Sequence, residues 1–386
     1  MNLIFITHII ALLFSFFVAG ALIGALLSKP LREKIIDFIR GRRDLLLARV
    51  INNPVLKPGT HPWNTEAVMN PAAILLGGRV HLLYRAIGMD GISRLGYASS
   101  PNGFVFDEQL PYPAYVSQNV RDMPGAYRRY SPVMYPSGGS WGGCEDPRMV
   151  ALDGRIYVTY NAFDGWDFMR VAFVSIPEKD FLAKRFYNWS RPRLISPPGQ
   201  RHKNWVIFPE KVRGKFAVLH SIVPEIEIAY LDSLDAVGDT APFIESWEGA
   251  RADAVGNGDG WDKVVRSAGP PPIKTEYGWL VLYHATRENE RHLYQVGAML
   301  LDLEDPTKVL HRATIPVLSP NASYENDGKP GIVYAAGAVV RGGMLYVYYG
   351  GADKVVCVAM APLMPFLKAL IEDKEVPLSS VPLQTI

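Results

Sequence analysis

Cysteine is nearly absent from this chain. Cys144 and Cys357 are the only two in 386 residues; they build no disulfide framework and have no metal-ligand spacing. A dominant charge is also lacking: 40 Lys and Arg against 38 Asp and Glu leave a net +2. That balance argues against a nucleic-acid partner. Between Met1 and Ser28 there is no Asp, Glu, Lys or Arg, and Leu3 to Leu27 is almost continuously apolar. Such a run is long enough to span a bilayer, whereas a signal-peptide core is about 7–15 residues. No basic segment precedes it, and Lys29, Arg32, Lys34, Arg40, Arg42 and Arg43 follow. The expectation is an uncleaved single-pass anchor over residues 1–28, with a cleaved signal as the alternative. The basic flank then keeps the globular part cytoplasmic. Residues 29–52 read as a basic juxtamembrane helix or linker, with Leu31 to Val50 amphipathic along the membrane surface.

What is present in quantity is aromatic and turn residues: 16 Phe, 19 Tyr, 8 Trp, 34 Gly and 30 Pro. With 48% apolar content the chain buries a substantial core. From residue 53 onward short β-type runs recur between Gly and Pro. One unit repeats: a glycine, an alternating apolar strand, then an aromatic or histidine six residues after the glycine. It occurs as Gly78 with Tyr84, Gly154 with Tyr160, Gly214 with His220, Gly278 with His284, and Gly343 with Tyr349. The steps between glycines are 76, 60, 64 and 65 residues. Units of that length suit propeller blades, so residues 53–386 are expected to be an all-β, five-bladed β-propeller. A two-sheet sandwich is the alternative. The strand ends, Tyr84-Arg85, Tyr160-Asn161, His220-Ser221, His284 and Tyr349, are expected at one mouth of a central channel.

The densest chemistry is in Gly143-Cys144-Glu145-Asp146-Pro147-Arg148. Pro147 fixes its own φ and is expected to hold Asp146 extended. Arg148 places a permanent planar cation beside two carboxylates. This is a way to present one carboxyl group to a substrate; a solvated turn before a strand is the other reading.

These residues resemble glycoside hydrolase family 130. The resemblance runs from about Asn53 to Leu370. Its landmarks include Asn53-Pro54-Val55-Leu56, Met69-Asn70-Pro71-Ala72, Leu83-Tyr84-Arg85-Ala86 and Ser93-Arg94-Leu95-Gly96-Tyr97-Ala98. Glu145-Asp146-Pro147-Arg148, Phe208-Pro209-Glu210-Lys211 and Gly269-Pro270-Pro271-Pro272-Ile273-Lys274-Thr275 follow in order, then Leu301-Asp302-Leu303-Glu304-Asp305-Pro306 and Tyr349-Gly350-Gly351-Ala352-Asp353. The resemblance implies a five-bladed propeller that phosphorolyses, or in some branches hydrolyses, β-mannosides with inversion. It makes Asp146 the proton donor, acting through a sugar hydroxyl. It implies sugar binding by Asn70, Arg85, Arg148, His284 and Asp353. Arg94, Lys203, Asn204, Lys274 and Tyr294 match the phosphate-side positions. No metal or organic cofactor is implied; inorganic phosphate is the co-substrate of a phosphorylase. The oligomeric state is not specified.

Two departures stand out. Family phosphorylases usually carry Arg-Asn where this chain has Lys203-Asn204, and Leu-His-Arg-Pro where it has Leu219-His220-Ser221-Ile222. Lysine is a point charge rather than a fork, and Ser221 removes a cation. These changes open a hydrolytic alternative, in which Glu225, Glu227 or Glu210 activates water. A mannosyltransferase on the same fold and a non-catalytic glycan-binding propeller are further alternatives.

Overall fold

The computed structural model describes residues 44–117, 129–164, 169–223, 225–238, 242–246 and 260–373. All but Asp44 belong to one compact unit, Leu45–Ile386. Its strands are β1 (Ala48–Arg49), β2 (Ala67–Leu76), β3 (Arg79–Ile87), β4 (Ile92–Ser100), β5 (Glu108–Gln109), β6 (Gly142–Leu152) and β7 (Arg155–Asp164). Next come β8 (Met169–Pro177), β9 (Arg193–Leu194), β10 (Val206–Ile207), β11 (Phe216–Ser221), β12 (Glu227–Leu231), β13 (Val264–Ala268) and β14 (Ile273–Thr275). The last are β15 (Gly278–Arg287), β16 (Glu290–Leu301), β17 (Val309–Arg312), β18 (Val333–Arg341), β19 (Met344–Gly351) and β20 (Val355–Pro362). Two short α-helices, α1 (Glu178–Leu182) and α2 (Leu363–Glu372), and three single-turn 3-10 helices complete the described elements.

The repeat read from the sequence is a structural one. Gly78, Gly154, Gly214 and Gly343 sit in the turns entering β3, β7, β11 and β19 with φ between 73° and 77°. Only glycine takes that conformation freely, and each opens an antiparallel hairpin. Apolar clusters such as Leu83, Tyr97, Met149 and Val158 fill the space between neighbouring strand groups.

The expectation of a five-bladed propeller behind a membrane anchor needs correction on two counts. Strand pairing gives four sheets rather than five separate blades, because a short parallel pairing, Ile92 with Gly142 and Ser93 with Gly143, joins two antiparallel meanders into one eight-stranded sheet. A closed five-bladed ring is therefore not shown. Among the described residues, no helix is long and apolar enough to cross a membrane. The expected transmembrane anchor, 1–28, lies outside the described residues, as does 29–43 of the expected basic helix. The membrane-anchored, cytoplasmic placement is withdrawn with it. Where that helix was to continue, Ala48–Arg49 is a strand, paired with Met360 and Ala359 at the edge of β20. Leu45 and Leu47 are buried in the core there, which fixes this segment by packing.

One local device builds the site. Pro71 in β2 and Pro147 in β6 have no N–H to give the ladder, and the register shifts at both: between Met69 and Ala72, and between Glu145 and Arg148. Asn70 and Asp146, each just before its proline, have φ of 47° and 48°. The expected extended Asp146 is thus corrected to a left-handed one. Such a residue costs on the order of 1–3 kcal/mol, so its surroundings must over-determine it.

Candidate active site

The surroundings do so. Asn70 Nδ2 donates to Asp146 Oδ1 at 2.6 Å, joining the two bulges directly. Arg85, on β3, reaches the same oxygen at 3.3 Å. Asp146 Oδ2 accepts no hydrogen bond from the described residues, and the side chain keeps 12% of its surface exposed. One carboxylate oxygen is fixed and the other is presented. Gly350 makes this possible: a Cβ there would lie 2.3 Å from Asn70 Oδ1.

Glu145 has the opposite setting. It is 1% exposed, and its carboxylate accepts from Arg85 NH2 at 2.6 Å, Ser140 Oγ at 2.8 Å and Ser137 Oγ at 2.7 Å. Burial pushes its pKa up; Arg85 and the two serines oppose that, while the charge of Asp146 adds to it. Arg85 is held by Ser93 Oγ at 2.8 Å and Ser137 O at 2.6 Å as well. Adjacent carboxylates on one strand therefore take different roles. Glu145 faces inward to orient Arg85, and Asp146 faces the site.

Arg148 does not reach outward. Its guanidinium donates to the carbonyls of Gly269, Ala268, Asp146 and Pro147, and it lies 5.7 Å from the Tyr334 ring centroid. It holds the bulge through main-chain atoms rather than standing free for a sugar. His284 is fully buried, stacked on Tyr334 with centroids 3.9 Å apart, and in contact with Ser267 Oγ through Nδ1. Burial, then the nearby charges of Arg148 and Lys203, drives its pKa well down, which favours the neutral imidazole. Tyr294 joins this aromatic group, 6.3 Å from Tyr334. Asp353 has φ of 50° and a side chain 14% exposed. Burial raises its pKa; Lys329 and Arg85 counter this, and Asp146 reinforces it.

Of the phosphate-side expectations, Lys203, Asn204 and Tyr294 meet the site. Asn161, the register partner of Glu145, accepts from Asn204 N at 2.8 Å and donates to Asn204 Oδ1 at 3.1 Å. This ties the Lys203–Asn204 segment to the strand pair that carries Asp146. Asn204 Nδ2 is buried without a hydrogen-bond partner. Arg94 lies toward the β3–β4 turn but is engaged by Asp90 at 2.6 and 3.1 Å. Lys274 is apart: it pairs with Glu210 at 2.6 Å, both about half exposed. Its cross-strand partner is Trp279, about 16 Å along β15 from His284 at ~3.3 Å per residue.

Ser221 turns its hydroxyl to Val223 O at 3.1 Å. Glu227 lies 3.4 Å from His220 on the β11–β12 pair, and Glu225 is exposed. The strand-end rings do not gather at one mouth either. Tyr84, Tyr160 and Tyr349 are buried, with hydroxyls bonded to Gln109, Tyr115 and Glu325. Tyr130 packs against Ala67, Met69 and Ile87.

Sequence reasoning missed Tyr334, Ser137, Ser140 and Lys329. Tyr334 sits in an apolar strand run with no distinguishing mark. Lys329, between Gly328 and Pro330, carries a turn signal around a cation that pointed to it. Among the described residues no group of three His, Cys, Asp or Glu side chains is placed to hold a metal.

Comparisons with known proteins follow the same residues. A family model described as β-1,4-mannooligosaccharide phosphorylase, that of glycoside hydrolase family 130, matches residues 47–371. A 1,2-β-oligomannan phosphorylase from Thermoanaerobacter sp. is 35% identical over 329 residues, 81% of this chain and 96% of the relative. A β-1,2-mannobiose phosphorylase from the same organism is 31% identical over 333 residues, again 81% and 96%. The solved structure of the Listeria innocua β-1,2-mannobiose phosphorylase with β-1,2-mannobiose superposes with a TM-score of 0.63. It is 25% identical, covering 84% of this chain and 99% of that one.

Proposed function

Because this chain belongs to glycoside hydrolase family 130, we propose that it is an inverting phosphorylase of β-mannosides, releasing mannose 1-phosphate. The observation that carries this reading is the tethering of Asn204, and with it Lys203, to Asn161 on the strand paired with the one that carries Asp146. The strand pair that holds the acid thus also holds a segment with a cation without an ion-pair partner among the described residues and a buried amide donor without an acceptor. Buried donors are almost always satisfied, so an unfilled one at a site calls for a ligand acceptor. A phosphate oxygen is such an acceptor.

In the proposed reaction a phosphate oxygen attacks the anomeric carbon from the face opposite the glycosidic oxygen. The C1–O bond breaks; Asp146 gives its proton to a sugar hydroxyl, whose own proton passes to the departing oxygen. The β-mannoside becomes α-mannose 1-phosphate and a shortened acceptor. Asn70 and Arg85 fix the acid, Asp353 accepts from sugar hydroxyls, and His284 stays neutral beside the mannosyl unit. No cofactor is needed beyond phosphate. A β-1,2 linkage is the favoured substrate, because the relatives of 35% and 31% identity, each aligned over 81% of this chain, carry β-1,2 names.

The test is incubation with β-1,2- and β-1,4-mannobiose, with and without phosphate. Mannose 1-phosphate formed only with phosphate supports the reading. Free mannose released at the same rate without phosphate replaces it with hydrolysis. Sugar binding without turnover, unchanged by Asp146→Asn, replaces it with a binding module.

A further inference from the structure

We propose that Lys329 is a positioning residue that sets affinity for the mannosyl unit, by bridging Asp353 to the loop that carries Ser137 and Ser140. The proposal rests on the phosphorylase reading above. Lys329 Nζ lies 3.6 Å from Asp353 Oδ2 and donates to Pro136 O at 3.0 Å, across 193 residues of sequence. Its two partners belong to different walls of the site. Asp353 sits in the turn between β19 and β20, and Pro136 adjoins Ser137, which bonds both Arg85 and Glu145.

The lysine is presented from a firm base. Its own N–H donates to Ala352 O at 2.8 Å, and a Cβ on Gly328 would come within 2.6 Å of that same oxygen. Just upstream, Glu325 is fully buried and bonded to Arg49 at 2.7 Å and to Tyr349 Oη at 2.7 Å. The side chain itself is 43% exposed, so it closes on the site from the solvent side.

The charged and titratable groups facing Asp353 are Lys329, Arg85, Asp146 and Tyr130. Lys329 and Arg85 favour its ionised form against burial and the charge of Asp146. An ionised Asp353 offers both oxygens as acceptors to sugar hydroxyls, whereas a protonated one gives up one of them to an O–H donor. Losing Lys329 therefore weakens sugar binding, and more so as pH falls. Phosphate, held by Lys203 and Asn204, is not affected.

The experiment compares full-length wild type with Lys329→Met and Lys329→Arg, using β-1,2-mannobiose and inorganic phosphate. The expected result for the methionine variant is a KM for mannobiose raised about five- to tenfold, with kcat and the phosphate KM within about twofold. The acid limb of kcat/KM moves to higher pH, and arginine restores both. If the methionine variant does not fold, Lys329→Gln carries the same comparison. A mannobiose KM that stays put while wild type turns over normally overturns the proposal alone. So does a phosphate KM that rises equally, or a kcat loss that arginine fails to rescue. If wild type shows no phosphorolysis, calorimetric titration with mannobiose takes over. Equal binding by wild type and variant overturns the proposal, and no binding by wild type overturns it together with the phosphorylase reading.

Discussion

Replacing Gly350 by alanine tests the central geometry, because the new methyl meets a named atom. Its Cβ lies 2.3 Å from Asn70 Oδ1, 3.0 Å from Asn70 N and 3.3 Å from Met69 Cβ. An ordinary contact needs about 3.4 Å or more, so the amide must retreat by about 1 Å. The backbone of Asn70 cannot give easily, since it is already left-handed at φ 47° and locked by Pro71. The side chain yields instead and loses its 2.6 Å bond to Asp146. Overpacking of this kind costs about 1–3 kcal/mol of stability. Misplacing a catalytic group by about 1 Å costs about a hundredfold in rate. The expected outcome for Gly350→Ala is a kcat about a hundredfold lower with an unchanged phosphate KM, read in a mannose 1-phosphate release assay. Asn70→Ala should show a similar loss, and the double variant should be no worse than Asn70→Ala, because both act through one bond. A Gly350→Ala enzyme within about threefold of wild type would refute the reasoning. So would a double variant whose losses multiply.

Lys203→Met should raise the KM for phosphate by tenfold or more, whereas Lys274→Met, engaged with Glu210 in solvent, should stay within about twofold; equal effects would mean the phosphate site is misplaced. Glu145→Gln removes the buried partner of Arg85, a change that costs about 3–5 kcal/mol when nothing compensates. Ser140 and Asp146 still hold Arg85 here, so a loss of about 2–3 kcal/mol is expected. At about 2.1 cal/mol/K per residue over this unit, that lowers a two-state Tm by about 3–4 °C, and calorimetry showing no decrease would count against the network. His202 and His220 are each held down to about 4 by burial, with Arg170 adding to the first and His202 to the second. The unfolded chain takes up these protons first, near pH 6.5. Stability is therefore full above that pH and falls as pH drops toward 4, by up to about 3 kcal/mol for each histidine. His220→Gln should flatten the slope of unfolding free energy between pH 6.5 and 4; an unchanged slope would rule this out.

Much of the molecule is legible in the sequence. A turn glycine six residues before a ring is a local requirement, so the five hairpins could be read directly. That Asp146, Asn70, Arg85 and Asp353 lie close together was legible through motif residues whose spacing is kept within single bulges and turns. The landmarks Arg94 and Lys274 were equally visible, yet a lysine's role depends on which carboxylate it meets. Glu210, 64 positions away, takes Lys274, and Asp90, in the turn just before β4, takes Arg94. Lys329 and Tyr334 were not singled out for the converse reason: their partners Pro136 and His284 are brought to them only by the packing of strands from different sheets.

The sequence by itself determined the hairpin repeat, the predominantly β character and which carboxylate stands directly before Pro147. These follow from backbone preferences of glycine and proline and from side-chain chemistry carried within a few residues. Tertiary structure decided that Asp146 is left-handed rather than extended, that Glu145 points inward, and which cations remain available. Those outcomes depend on burial and on contacts between residues far apart in the chain, and neither is encoded in local spacing.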